Sequence, residues 1–353
     1  MKQFYPLRVA DVRRETSDCV SVAFEIPAAL KATFAYRAGQ YVTVRTQIAG
    51  SEVRRSYSLC SSPLDEEWRI AVKAVPQGLF STFANTELKA GDTLEVMPPD
   101  GRFFTDLDPT QPREYVAFAA GSGITPVFSI LKTVLLQEPD SHFTLFYGNK
   151  GAESVIFREA IEGLKNQFMH RLSVHYFLSR EHTGSELFSS RIDGERCRRL
   201  SPVFFNPQET DAFFLCGPEE MILSVREALL DMGVPRTHIH LELFGTATHK
   251  TTRTTQTEDK GQMTQVSLQL DGNITHFVMT AADNVLDAAL RAGVDLPYAC
   301  KGGVCCTCRA KIESGTVEMD VNYALEPDEV AAGFVLTCQS HPTTDALTVN
   351  FDA

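Results

Sequence analysis

Four cysteines near the end of the chain have the residue type and the spacing that iron binding requires. Cys300, Cys305 and Cys308 follow the pattern C-x4-C-x2-C, and Cys338 comes later, on a strand predicted over 334–338. This is the ligand spacing of plant-type [2Fe-2S] clusters, in which four thiolates converge on two irons. The sequence therefore predicts a [2Fe-2S] cluster bound by these four cysteines.

The spacing of the cysteines and the residues between them distinguish an iron-sulfur cluster from a zinc site. Gly302 and Gly303 leave the backbone free to turn its amides toward the sulfurs. Zinc sites favour two separated C-x2-C pairs, and here there is one. A zinc-bound scaffold without redox activity is nevertheless the alternative from another functional class, and metal analysis would separate the two. Cys306 does not fit the spacing, so we expect it to be a small packed side chain.

Composition limits the classes of protein to be considered. A chain of 353 residues, with 43% hydrophobic and 22% charged residues, predicts a soluble globular protein of about two or three domains. The net charge of −12 argues against a nucleic-acid partner. Residues 263–353 carry 12 acidic and 4 basic side chains. This acidic excess is consistent with steering toward a basic partner and, equally, with solubility alone.

The start of the chain predicts a protein of the cytoplasm. Residues 1–15 are rich in charge and contain no apolar segment, so we expect no signal peptide. The longest uncharged run, 115–131, is broken by glycines and a proline and is shorter than the ~20 residues of a membrane helix. We therefore expect no membrane partner, and no disulfides among the nine cysteines.

The first hundred residues predict a small antiparallel barrel. Apolar and polar residues alternate over 7–12, 20–26 and 40–44, and glycines separate these segments. A last strand over 94–97 is followed by two prolines, which cannot continue a hydrogen-bonded ladder.

Two short motifs in this barrel resemble the flavin-binding motifs of the ferredoxin-NADP reductase superfamily. The R-x-Y-S motif places Arg55, Tyr57 and Ser58 at matching positions, and the G-x-x-S motif places Gly78 and Ser81. The resemblance implies an arginine on the FAD pyrophosphate, a phenol ring along the isoalloxazine and a hydroxyl near N5. It also implies phosphate binding by backbone amides at the start of a short helix.

Beyond the barrel, apolar strands alternate with helical segments, which is typical of parallel βαβ units. The strand 115–120 runs into a glycine-rich turn, and a helix is predicted from about 127 to 136. The turn has the pattern G-x-G-x-T-P and contains Gly121, Gly123, Thr125 and Pro126. Glycines let a diphosphate approach the backbone, and the helix start offers free amides. The pattern is similar to the nicotinamide-nucleotide domain of the same superfamily; the alternative is a glycine-rich turn of an ordinary α/β domain.

Ser179 and Arg180 stand at the carboxyl end of the strand predicted over 172–178. Ligands of open α/β sheets bind at such ends. In the superfamily a Ser-Arg pair recognises the 2′-phosphate of NADPH, so the resemblance favours NADPH, with NADH as the alternative. Without the resemblance, the two residues would be interpreted as a helix-capping serine and a solvent-exposed arginine.

Two further motifs complete the resemblance in this domain. The C-G-P motif, Cys216, Gly217 and Pro218, lies beside the nicotinamide in the superfamily. Glu242 and Phe244 match the E-x-aromatic motif, whose ring covers the flavin until nicotinamide displaces it. In plant-type reductases that aromatic residue ends the chain, whereas here the chain continues. The resemblance assigns catalytic roles to Ser58, Cys216 and Glu242.

The remaining sequence predicts a linker and a third domain. Residues 246–262 are rich in threonine and have almost nothing to bury, so they predict a flexible linker. A hairpin, a helix over 284–292, the cysteine loop and a short helix over 328–332 follow in the order of a β-grasp ferredoxin. The predicted domains are an FAD-binding β-barrel (1–108), an NAD(P)-binding α/β parallel-sheet domain (109–245), the linker (246–262) and a β-grasp [2Fe-2S] domain (263–353).

This domain order resembles the reductase components of multicomponent oxygenases over essentially the whole chain. The stretches 119–126, 296–305 and 322–329 are especially similar to the reductase family of phenylacetyl-CoA epoxidases. The resemblance implies that electrons pass from NAD(P)H through FAD and the cluster to a di-iron oxygenase component in phenylacetate catabolism. The alternative is the reductase of another mono- or dioxygenase.

Overall fold

The computed structural model describes residues 3–244 and 263–353 of the chain. These described residues form two compact units, 3–244 and 263–353. The predicted linker, 246–262, lies outside the described residues. Within the described ranges, no helix is long and apolar enough to cross a membrane.

The larger unit begins with an antiparallel sheet. Its strands are β1 (Tyr5–Thr16), β2 (Cys19–Glu25), β3 (Tyr41–Ile48), β4 (Ser51–Ser58), β5 (Trp68–Lys73) and β6 (Thr93–Val96). Their order in space is β4-β3-β6-β1-β2-β5. A bridge between Leu59 and Ile70 joins the two edges of the sheet, β4 and β5. The strands therefore close into the predicted barrel, and helix α1 (Leu79–Thr86) packs against β5.

A parallel sheet with helices on both faces follows in the same unit. Its strands are β7 (Glu114–Ala120), β8 (His142–Asn149), β9 (Leu172–Leu178), β10 (Ala212–Gly217) and β11 (Ile239–Leu243). Its helices are α2 (Ile124–Gln137), α3 (Arg158–Gln167), α4 (Gly194–Phe204) and α5 (Glu219–Asp231). Helices α2 and α3 pack on one face, and α4 and α5 on the other. The strand order is β11-β10-β7-β8-β9, so the chain reverses direction across the sheet between β7 and β10. The carboxyl ends of these two strands border the crevice in which such sheets bind ligands.

Helix α2 begins earlier than the sequence predicted. It starts at Ile124 rather than at about residue 127, and Gly121–Gly123 form a tight 3-10 turn before it. Pro126 is consequently the third residue of the helix. Its missing N–H has no cost there, because the first-turn amides of a helix have no intrahelical partner.

The second unit has the predicted β-grasp organisation. Its strands are β12 (Met263–Leu270), β13 (Asn273–Thr280), β14 (Arg309–Ser314), β15 (Val317–Met319), β16 (Phe334–Leu336), β17 (Ser340–Pro342) and β18 (Ala346–Asn350). Five of them form one sheet in the order β13-β12-β18-β14-β16, and β15 pairs with β17. Helices α6 (Val285–Arg291) and α7 (Pro327–Ala331) complete the unit, and α6 contributes Val285 and Leu286 to a core shared with the sheet.

The prediction that Cys338 lies on a strand was wrong. Strand β16 ends at Leu336, and Cys338 sits in the turn between β16 and β17. The Gln339 amide donates to the Leu336 carbonyl at 2.8 Å, which closes a tight turn around the cysteine. The apolar run before Cys338 predicted extended structure, but a turn is what directs the sulfur toward the other three cysteines.

Candidate functional site

Two of the predicted catalytic residues, from distant parts of the chain, are joined by a hydrogen bond. Ser58, at the end of β4, donates from Oγ to Glu242 Oε2 at 2.8 Å. Glu242 lies in β11, where its register partner on the adjacent strand is Cys216. The structure therefore brings Ser58, Cys216 and Glu242 together where the barrel meets the carboxyl ends of the parallel strands.

Burial changes the proton affinity of this group of side chains. It raises the pKa of Glu242 from 4.5 to about 8, and the hydrogen bond from Ser58 acts in the opposite direction. Burial also raises the pKa of the Cys216 thiol well above its usual value, with a further contribution from the Glu242 charge. Near neutral pH the site consequently holds a carboxyl group poised to titrate and an un-ionised thiol.

The raised pKa of Glu242 predicts a pH-dependent loss of stability. Because the folded state holds the proton more tightly than the unfolded state, stability falls as pH rises from about 4.5 to about 8, and is flat above that. We expect Glu242→Gln to remove this decline. At pH 8 its free energy of unfolding should exceed that of the wild type by on the order of 2–4 kcal/mol. Trp68, the single tryptophan, lies in the barrel and reports urea unfolding by its fluorescence. The exposed Glu87→Gln is the control, and an equal response of the two variants would contradict the assigned burial.

The R-x-Y-S motif occupies the second half of β4. Arg55 and Tyr57 alternate with Ser58 along the strand, so the arginine and the tyrosine lie on one face and the serine on the other. The Arg55 side chain is exposed, and its guanidinium donates to the neighbouring Arg54 carbonyl at 2.7 Å. Tyr57 packs against Phe80 of α1 with ring centroids 5.4 Å apart. An exposed guanidinium and a supported aromatic ring fit the phosphate and the ring of FAD.

The G-x-x-S motif forms the start of α1. Gly78 is the N-cap residue, and no side chain caps the helix there. Ser81 Oγ instead stabilises the preceding turn with two hydrogen bonds. It accepts one from the Val75 backbone amide at 3.1 Å and donates one to the Gly78 carbonyl at 3.1 Å. A Cβ at Gly78 would lie 2.4 Å from Ser81 Oγ. The turn thus leaves little room for a side chain at 78 and presents uncapped helix amides to an anion.

The glycine-rich turn after β7 combines a close contact with an open space. A Cβ at Gly123 would come within 2.2 Å of the Cys216 carbonyl oxygen, so only glycine permits this packing. Gly121 has φ +54°, and a Cβ there would meet no atom within 4 Å. Thr125 Oγ1 donates to the Ser122 carbonyl at 3.0 Å and fixes the turn. The open backbone at Gly121 fits the approach of a nucleotide diphosphate.

Ser179 and Arg180 continue the pairing of β8 and β9 beyond the strand ends. The Ser179 amide donates to the Asn149 carbonyl at 3.0 Å, and the Arg180 amide to the Lys150 carbonyl at 2.9 Å. The Arg180 side chain is exposed, and its guanidinium forms no ion pair with the described residues. The backbone is therefore fixed while the charged group stays available to an anion.

Sequence reasoning missed Asn149, at the carboxyl end of β8. The residue is 9% exposed, and neither polar atom of its amide has a hydrogen-bond partner among the described residues. A buried amide without partners is costly, so a bound nucleotide is a reasonable source of its hydrogen bonds. Its position, a polar residue at the end of a buried strand, was the available signal.

The last two motifs lie at the carboxyl ends of β10 and β11. Gly217 ends β10, and a Cβ there would lie 2.7 Å from Met221 Cε and 3.1 Å from Ala120. Pro218 is the N-cap of α5. Phe244 follows β11 and is 37% exposed. An exposed aromatic ring at this edge is consistent with a ring that covers a ligand.

The four predicted cluster ligands fall into two sulfur pairs. Cys305 Sγ lies 3.1 Å from Cys300 Sγ. Cys308 and Cys338 form the second pair, because each thiol is near enough to shift the pKa of the other. Two pairs of thiols fit two irons, whereas a single tetrahedral metal would draw all four sulfurs around one point. Across residues 3–244 and 263–353, no group of three or more metal-binding side chains is arranged around one metal position.

Backbone amides turn toward these sulfurs, as predicted. The Gly302 amide donates to Cys300 Sγ at 3.3 Å. The pKa of Cys300 is lowered to about 7, chiefly by the hydrogen bond from Cys305. Gly303 has φ +73°, and a Cβ there would lie 2.9 Å from Val321 Cγ2. The loop therefore needs glycine at 303, and its donor-rich interior fits thiolates bound to iron.

Cys306 points away from this set. Its Sγ lies 3.4 Å from the Ala324 carbonyl, to which it donates, and the side chain packs against the core of the unit. All nine cysteines are free thiols.

Three family models match the chain. An oxidoreductase FAD-binding domain matches residues 6–104, an oxidoreductase NAD-binding domain matches 118–227, and a 2Fe-2S iron-sulfur cluster binding domain matches 268–343. The R-x-Y-S and G-x-x-S motifs lie within the first match, the G-x-G-x-T-P, Ser-Arg and C-G-P motifs within the second, and the four cysteines within the third.

Similar proteins extend over the full length. The chain is 44% identical to one component of the 1,2-phenylacetyl-CoA epoxidase of Escherichia coli (strain K12), over 100% of this chain and 99% of that protein. It is 34% identical to the ferredoxin reductase component of 3-ketosteroid-9-alpha-monooxygenase from Rhodococcus rhodochrous, over 98% and 96% of the two chains. Among solved structures, phthalate dioxygenase reductase matches with a TM-score of 0.61 and 23% identity, over 99% of this chain and 98% of that one. The structural match agrees with the fold described above.

Proposed function

Because this chain belongs to the family of FAD- and [2Fe-2S]-containing reductase components of oxygenases, we propose that it delivers electrons to a di-iron phenylacetyl-CoA epoxidase. The observation that carries the proposal is the 44% identity with a component of that enzyme, which extends over the whole chain. Phenylacetate catabolism is then the pathway it serves. We also propose the cytoplasm as its location, since free thiols and thiolate-bound iron suit a reducing compartment.

The family assigns the cofactors, FAD and a [2Fe-2S] cluster, with NAD(P)H as the electron donor. When bound, FAD supplies the conversion of two-electron hydride chemistry into the one-electron chemistry of the cluster. We propose three domains, 1–108, 109–245 and 263–353, with a linker over 246–262. Each family model lies within one of the three domains.

We assign the FAD site to residues at the barrel edge. Arg55 would pair with the pyrophosphate, together with the α1 amides that Gly78 and Ser81 leave uncapped. Tyr57, supported by Phe80, would lie along the flavin ring. The side chains thereby fix the cofactor without a covalent bond.

We assign hydride transfer to the three residues that converge beyond β4. Ser58 would orient the reacting edge of the flavin, with Glu242 holding its hydroxyl in place. Cys216 would lie against the nicotinamide, and Phe244 would occupy that position when no nucleotide is bound. Burial keeps the Cys216 thiol un-ionised, so it offers a compact neutral surface rather than a charge.

We assign the nucleotide itself to the carboxyl ends of the parallel strands. The diphosphate would lie against the turn formed by Gly121, Gly123, Thr125 and Pro126, and the nicotinamide near Gly217 and Pro218. Ser179 and Arg180 would bind the 2′-phosphate. These assignments place NADPH ahead of NADH as the donor.

The assignment of Arg180 predicts a change in nucleotide preference. Since a charge-assisted hydrogen bond contributes about 1.5–3 kcal/mol, we expect Arg180→Ala to raise the KM for NADPH about tenfold to a hundredfold. The KM for NADH and the kcat with either nucleotide should stay unchanged. Steady-state ferricyanide reduction measures both, with the exposed Arg198→Ala, on α4, as a matched control. Equal effects on NADPH and NADH would rule out a contact with the 2′-phosphate.

Reconstitution tests the proposed partner. The chain, NADPH and phenylacetyl-CoA are mixed with the oxygenase component of a phenylacetyl-CoA epoxidase, and the epoxide is followed by mass spectrometry. A parallel reaction contains a 3-ketosteroid 9-alpha-monooxygenase oxygenase and its steroid. We expect turnover with the epoxidase and little with the monooxygenase; the opposite result would support the alternative, a reductase for another oxygenase, suggested by the 34% identity to that reductase.

A further inference from the structure

Gln339 contacts both segments that carry the cluster cysteines. Its side chain is buried, with 8% of the residue exposed. Its Nε2 donates to Cys338 Sγ at 3.4 Å and to the Lys301 carbonyl oxygen at 3.0 Å. A carboxamide nitrogen carries two hydrogens, so it can serve both acceptors at once.

The orientation of this amide follows from its partners. The Lys301 carbonyl can only accept a hydrogen bond, so an amide oxygen placed against it would be repelled. The backbone of Gln339 is also fixed, since its N–H donates to the Leu336 carbonyl at 2.8 Å and its carbonyl accepts from the Asp320 amide at 2.9 Å. The side chain therefore extends from an anchored backbone with its NH₂ group toward the sulfur.

The cysteine loop provides the space for this side chain. A Cβ at Gly303 would lie 3.2 Å from Gln339 Cγ, which is a tight contact. The absence of a side chain at Gly303 thus lets the Cys338 turn pack closely on the loop. Gln339 fills this contact and links the loop to the turn through the Lys301 carbonyl.

We propose that Gln339 is a positioning residue that raises the reduction potential of the cluster by donating an N–H to the sulfur of Cys338. On reduction the cluster gains one electron and its sulfurs become more negative, so a fixed donor stabilises the reduced form more than the oxidised form. The second N–H, on the Lys301 carbonyl, keeps the donor in place. This inference rests on the proposed ligand set, in which Cys338 binds iron.

The test is a redox titration of the cluster in the full-length holoprotein, followed by visible absorption and EPR. Gln339→Met keeps most of the side-chain volume and removes both N–H donors. We expect the equilibrium constant for one-electron reduction of its cluster to fall about tenfold. This corresponds to a reduction potential about 59 mV more negative than that of the wild type. Gln269→Met is the matched control, because Gln269 lies in the same unit and donates to Asp352 rather than to a cysteine. Its potential should equal that of the wild type.

A second variant keeps the proposal testable if Gln339→Met fails to assemble its cluster. Gln339→Glu has the same shape, and its carboxylate places a negative charge beside Cys338. We expect a potential lower than that of the wild type, and lower at pH 8 than at pH 5. A cluster-loaded variant with wild-type potential would overturn the role of Gln339. An intact, fully loaded cluster in Cys338→Ala would instead overturn the ligand set on which the inference rests.

Discussion

Cys338→Ala is expected to lose electron delivery to cytochrome c while keeping electron delivery to ferricyanide. Cytochrome c reduction should fall to background, because the variant has only one thiol where Cys308 and Cys338 form a pair and cannot complete the iron site. Ferricyanide is small enough to take electrons at the flavin, and the flavin site belongs to the other compact unit. Its reduction by NADPH should therefore stay at the wild-type level. Steady-state assays with both acceptors, together with iron and acid-labile sulfide analysis, measure the effect.

The adjacent cysteine provides the matched control for this prediction. Cys306 neighbours Cys305 in sequence but bonds to the Ala324 carbonyl, so Cys306→Ala should keep iron, sulfide and both activities. Loss of both activities in Cys338→Ala would indicate a folding role for that residue. If the wild type contained one zinc per chain and no acid-labile sulfide, the result would support the alternative of a zinc-bound scaffold.

Ser58→Ala is expected to slow hydride transfer by about 10²–10³-fold, the usual effect of removing one placed hydrogen-bonding group from a reacting site. Below its pKa of about 8 the Glu242 carboxyl is protonated and can donate to Ser58 Oγ, which frees the serine proton for the flavin. The rate is that of flavin bleaching after anaerobic mixing with NADPH in a stopped-flow instrument. The variant also removes the hydrogen bond that lowers the pKa of Glu242. Any step of the pH–rate profile near pH 8 should therefore move to higher pH in Ser58→Ala.

Ser56→Ala separates this effect from a general disturbance of β4. Ser56 lies on the same strand, but its hydroxyl is hydrogen-bonded to Thr43 at 3.1 Å. We expect the flavin of Ser56→Ala to bleach at the wild-type rate. Equal rates for Ser58→Ala and the wild type would show that the serine has no part in hydride transfer, even though it contacts Glu242.

Local pattern was sufficient to predict most of the secondary structure. The run from Leu172 to Leu178 was predicted as a strand with the limits that β9 has in the structure, because a buried parallel strand is a continuous apolar segment between breaks. The start of α2 was predicted late, because the sequence of residues 121–126 reads as a loop. Its helical residues from Ile124 are stabilised by burial against the sheet, which the local sequence does not report.

The arrangement of the site depended on contacts that no local pattern contains. Ser58 and Glu242 are 184 positions apart, and only the family resemblance connected them before the structure was known. The same holds for Gln339, a polar residue next to a predicted ligand, whose donor role appears only when the turn brings it to the Lys301 carbonyl. The raised pKa of Glu242 is a further case, since it arises mainly from burial in the folded unit.

We expect electrons to pass within this one chain from NAD(P)H through FAD to the cluster. An anaerobic visible titration of the purified full-length protein with NADPH, and then with NADH, follows this path. We predict that the flavin bands and the broad iron-sulfur absorption are both present at the start and that both bleach, with NADPH the more effective donor. A protein whose flavin bleaches while its iron-sulfur absorption persists, or one with neither absorption, would show that this chain does not pass electrons from NAD(P)H to a cluster.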